Sequence, residues 1–82
     1  MKLIDVIVKN AGDDVSTEQF VKNLGYDACT LNEDATRIGT VADGINRADV
    51  YSLAFGGCHI STQTAEFYTD DDPADDPSFR PA

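Results

Sequence analysis

The sequence predicts a small α+β domain in which an antiparallel sheet carries helices on one face. Three observations lead there: an opening apolar stretch, KLIDVIVK; a capped amphipathic segment, STEQFVKNLG; and two β-rich arms, DVYSLAF and CHISTQTAEFYT, split by Gly56-Gly57. The expected order is β-α-α-β-β. At 82 residues there is room for one core. The expected division is a compact domain over 1–69 and an extended, disordered acidic tail over 70–82.

KLIDVIVK is dense in Leu, Ile and Val, with Asp5 its only break, and reads as a buried strand. NAGDD supplies turn residues. Ser16 followed three positions later by Gln19 matches a capping box, Phe20, Val21 and Leu24 share one helical face, and Gly25 is a stop, so a helix is expected over 17–24. Leu31, Ala35, Ile38, Ala42 and Ile45 recur at helical spacing, with a capping box at Thr30 and Glu33, so a second helix is expected over 31–45. Gly39 and Gly44 oppose that helix, and TRIGTVA has a rival reading as a strand. The two arms around Gly56-Gly57 form a hairpin, because paired glycines supply the positive φ of short connections. Beyond Asp70, three prolines among five aspartates argue against a helix or a central strand, leaving the tail mobile unless Phe79 packs back.

Charge separates the classes of function. The net charge is −9, from 15 acids and six bases, and 12 of the acids are aspartate. Residues 70–82 carry a net −4 of this on about a sixth of the chain. Nucleic acid and anionic membrane would be repelled, and a basic protein surface is the natural complement. The opening stretch is too short and too interrupted for a signal peptide, and no run reaches the length of a membrane span, so a cytoplasmic protein is expected. There, Cys29 and Cys58 are expected as reduced, buried thiols, although a disulfide between them would add about 3–4 kcal/mol.

No motif carries chemistry. DDDPADD lacks the alternating ligands, central glycine and distal glutamate of a calcium loop, so neither metal nor cofactor is expected. Cys58 and His59 are strand neighbours that point to opposite faces and so do not form a nucleophile–base pair. An enzyme is not expected. The acidic run is either a solubilising extension or a ligand: five charges over seven extended residues, roughly 22 Å, approach the spacing of a single nucleic-acid strand.

In size, low isoelectric point, single α+β domain, Asp-dense DDDPADD and lack of a catalytic motif, the chain resembles the small acidic inhibitors that bacterial viruses make against host defences. These include anti-CRISPR proteins and DNA-mimic anti-restriction proteins, a class that shares no sequence signature. The resemblance implies a monomer in the host bacterial cytosol whose carboxylates occlude an Arg/Lys groove that a defence complex uses for nucleic acid. Asp70, Asp71, Asp72, Asp75 and Asp76 are the residues expected to do so. Asp13, Asp14, Asp34, Asp43 and Asp49 would extend the surface, and Tyr68 and Phe79 would be its apolar anchors. The alternative is a structural or adaptor module, dimeric through the hairpin edge, whose acidity serves solubility or a halophilic source.

Overall fold

A computed structural model describes residues 3–10, 16, 19, 22, 25, 27, 35–63 and 65–82. Among these residues the frame is a five-stranded antiparallel sheet with the short helix α1 packed on it. The elements are α1 (Leu3–Asn10), β1 (Ala35–Asp43), β2 (Asn46–Leu53), β3 (Cys58–Ser61), β4 (Glu66–Thr69), a 3-10 turn at Pro73–Asp75 and β5 (Arg80–Pro81). Across the sheet the strands run β4-β3-β2-β1-β5. None of the described helices is long and apolar enough to cross a membrane.

The opening stretch is a helix, which corrects the strand expected from its β-branched content. Leu3, Ile4 and Ile7 are buried while Asp5 and Val8 are exposed, the one-sided pattern of an amphipathic helix. The β-branched residues cost a few tenths of a kcal/mol each in helix propensity. Burying Leu3 and Ile7 against β1 and β2 returns about 1.5–3 kcal/mol per side chain.

The second expected helix is overturned from residue 35 onward, because Ala35–Asp43 is strand β1; residues 31–34 lie outside the described residues. Two glycines decide it. A Cβ on Gly39 would collide with the Arg80 carbonyl and sit 2.7 Å from the Phe79 ring, so glycine is what lets β5 approach β1. Gly44, at φ +62, opens the two-residue turn Gly44-Ile45 between β1 and β2. Among the described residues no non-glycine has positive φ, Ile45 included, so the turn is of the II′ kind, matched to strand twist.

Most of the expected helix over 17–24 lies outside the described residues. At its boundaries the Gln19 N–H donates to Ser16 Oγ at 3.1 Å, and Gly25, at φ +81, donates to the Lys22 carbonyl at 3.1 Å. The hairpin at Gly56-Gly57 is present, with both glycines at positive φ between β2 and β3. Its second arm, however, is two strands: Thr62 and Ala65 close a further turn, with Thr62 N–H on the Ala65 carbonyl at 2.8 Å. Among the described elements the order is α-β-β-β-β-β, with Gln19 and Lys22 also helical.

The largest correction concerns residues 70–82, which are not a mobile tail. They leave β4 at one edge of the sheet, pass the amino end of α1 and join β1 at the opposite edge as β5. The span is four strand spacings, roughly 19 Å, well within reach of ten extended residues. Three contacts hold the crossover. Asp76, 3% exposed, accepts the Ile4 N–H on Oδ2 at 2.7 Å. Its Oδ1 accepts both the N–H and the hydroxyl of Ser78, at 2.8 and 2.7 Å. Ser78 Oγ in turn accepts the Ala42 N–H of β1 at 3.1 Å.

Because a charged acceptor serves buried donors here, Asp76→Ala should lower unfolding stability by about 2–4 kcal/mol, and Asp76→Asn by less. Urea denaturation measures both, and a loss below about 0.5 kcal/mol for the alanine variant would show that the carboxylate is not holding α1. Gly39→Ala should also destabilise, with the loss of β5 pairing visible as chemical-shift changes confined to β1 and residues 78–82.

Candidate functional site

The acidic segment is shaped by short local bonds. The Tyr68 hydroxyl donates to an Asp70 carboxylate oxygen, and the Asp71 N–H donates to Thr69 Oγ1 at 3.1 Å. Asp72 caps the 3-10 turn by accepting the Ala74 N–H at 3.0 Å, with Pro73 in the first-turn position that needs no donor. The five aspartates therefore do not form a linear array of evenly spaced charges. Asp70, Asp72 and Asp75 are exposed, Asp71 is half-buried with Oδ2 turned inward and unbonded, and Asp76 is buried as a structural cap.

The other expected site residues are scattered. Asp43 is exposed at the β1–β2 turn. Asp49 sits on the outer sheet face, 3.4 Å from Arg37 Nε. Asp13, Asp14 and Asp34 lie outside the described residues. Phe79 and Tyr68 are both half-buried against the core, Phe79 beside Gly39. The sequence reading missed Ile45, which is 98% exposed at the tip of the turn. The Ser78–Ala42 bond brings the end of the crossover to the strand end that carries Asp43 and Ile45. An apolar residue at an Asp-Gly-Ile-Asn turn was the available signal, and a helical reading of 31–45 concealed it.

Cross-strand register places Arg37, Tyr51, His59 and Tyr68 in one row on the outer face, and Arg80, Thr40, Asp49, Ser61 and Glu66 in another. Tyr51 and His59 rings lie 5.6 Å apart. His59 is 6% exposed, with Nε2 3.5 Å from Glu66 Oε1. Burial pushes its imidazole below the ordinary value, and the nearby Glu66 carboxylate opposes this only in part. Cys58 faces the core as a free thiol, and Cys29 lies outside the described residues. Burial first, and the Asp72 charge second, push the Cys58 thiol up, which keeps it protonated. Among the described residues no group of three or more His, Cys, Asp or Glu is placed to hold a metal ion.

Compared with protein-family models, curated proteins and solved structures, the chain matches none.

The neutral, buried His59 binds fewer protons folded than unfolded once pH drops below the ordinary histidine value of about 6.5. Stability should therefore fall from that pH downward and level off below the lowered folded value. Urea midpoints at about pH 7.5 and 5.5 test this against His59→Gln, which should flatten the difference; an equal drop in the variant would assign it to other groups.

Proposed function

We propose that the protein acts by binding rather than catalysis, docking on a basic protein surface of the kind that holds nucleic acid and occluding it, in the manner of an inhibitor of a bacterial defence complex. The observation that supports this reading is the display of Asp70, Asp72 and Asp75 on a segment fixed at both ends. A fixed segment loses less conformational freedom on association than a mobile tail, so its charges contribute more to affinity. The net charge of −9 would steer a basic partner in and make affinity fall as salt rises. Asp43 and the exposed Ile45, at the strand end where Ser78 ties the crossover down, would extend the surface and give it an apolar anchor.

Parallel pull-downs from bacterial lysate at low salt test the reading, with the full chain and the Asp70→Asn/Asp72→Asn/Asp75→Asn variant as baits. Asparagine at 72 keeps the cap. The full chain should capture a nucleic-acid-binding protein, release it to added nucleic acid, and lose affinity roughly tenfold or more between about 50 and 200 mM salt. The variant should capture little. Equal capture by both baits would remove the crossover as the binding surface, and capture that nucleic acid does not compete away would remove mimicry as the mechanism.

A further inference from the structure

The two sheet edges differ. β5 is two residues long and ends on Pro81, which has no N–H to offer, so that edge is blunt. β4 (Glu66–Thr69) contains no proline and, among the described residues, pairs with β3 alone. Bonded and non-bonded residue pairs alternate along an antiparallel ladder. Counting from the bonded Thr62/Ala65 pair, Ile60/Phe67 and Cys58/Thr69 turn their main-chain groups toward each other. The N–H and C=O groups of Glu66 and Tyr68 are then left pointing out from the edge.

We propose that this edge pairs antiparallel with β4 of a second copy of the chain, about a twofold axis at Phe67, joining two five-stranded sheets into one. Residues facing one another across a ladder share a face of the sheet, so only two central registers are available: Phe67 opposite Phe67, or Tyr68 opposite Tyr68. In the first, Glu66 of each copy faces Tyr68 of the other, each such pair exchanges its main-chain hydrogen bonds, and the Phe67 side chains extend one core toward the next. In the second, Glu66 faces Asp70 of the other copy twice over, and like charges directly opposite are destabilising. Charge therefore selects the Phe67 register.

Its salt dependence is the reverse of docking on a basic partner. Two chains of net −9 repel, so added salt screens the repulsion and strengthens pairing. The proposal stands apart from the function proposed above.

Sedimentation equilibrium on the full chain at about 50 and 500 mM salt tests it. Dimer should grow with salt, whereas an unchanged monomer at both would overturn the proposal. Two substitutions at one position test the register. Tyr68→Lys sets a lysine opposite Glu66 in both symmetric pairs and should tighten the dimer by roughly two- to thirtyfold, and Tyr68→Glu should weaken it by a similar factor. Both variants lose the same ring and hydroxyl, so their difference does not report the fold, and at about 500 mM salt, where the net repulsion is screened, it reports the facing residue. If both weaken the dimer alike, the axis does not lie at Phe67 and the proposal fails.

Discussion

The buried Asp76 carboxylate is the constraint on which the rest depends. It lies 72 positions from the Ile4 amide that it accepts. The first N–H groups of a helix have no partner within the helix, and a negative charge there also meets the favourable end of the helix dipole. Leaving such a donor buried and unpaired costs about 1–3 kcal/mol, so the amino end of α1 packs against the sheet only when something supplies an acceptor. Asp76 supplies it from the far end of the described chain. Its second oxygen holds Ser78, and Ser78 holds Ala42, so one side chain joins helix, crossover and sheet.

That arrangement changes what the acidic segment is. Two of its five aspartates, Asp72 and Asp76, are caps, and a third, Asp70, holds the Tyr68 hydroxyl. The acidic run, read from the sequence as a solubilising extension or a ligand, is in part what folds the chain. The remaining exposed carboxylates gain a fixed geometry from the same bonds. The arginines lie elsewhere: register places Arg37 and Arg80 on the outer sheet face, and Arg47, two residues before Asp49 on β2, alternates onto it as well. Exposed acid on the crossover and exposed base on the outer sheet face are thus borne by different elements.

Some of this was legible in the sequence. The hairpin at Gly56-Gly57 followed from the backbone freedom that paired glycines give, and the Ser16–Gln19 bond and the φ of Gly25 follow from capping chemistry. Three elements were hidden for physical reasons. An eight-residue apolar run is ambiguous between periods, and Leu3, Ile4 and Ile7 fit a helix only once a partner exists for its amino end. Ile38 and Ala42 kept helical spacing by coincidence, and the reason for Gly39 is a contact with Arg80 and Phe79, about 40 residues away. Prolines read as breakers turned out to sit where proline is tolerated: Pro73 opens a 3-10 turn and Pro81 lies on an edge strand. In the candidate site, the exposed Asp70, Asp72 and Asp75 were legible by residue type. The inward turn of Asp76, the packing of Phe79 beside Gly39 and the exposure of Ile45 were not, because each is set by a contact or a turn distant in sequence.

Amide hydrogen exchange at Ile4 in the intact protein tests the central claim most directly. First-turn amides of a helix ordinarily exchange fast, because nothing in the helix accepts them. With Asp76 as acceptor, the Ile4 amide should be protected to within about tenfold of the core-strand amides of Val50 and Ile60, opening only with the whole domain. Exchange near the rate of an unfolded chain, with Val50 and Ile60 still protected, would contradict the account: α1 would then be held by its apolar face alone, and the crossover would not be the clasp that the fold depends on.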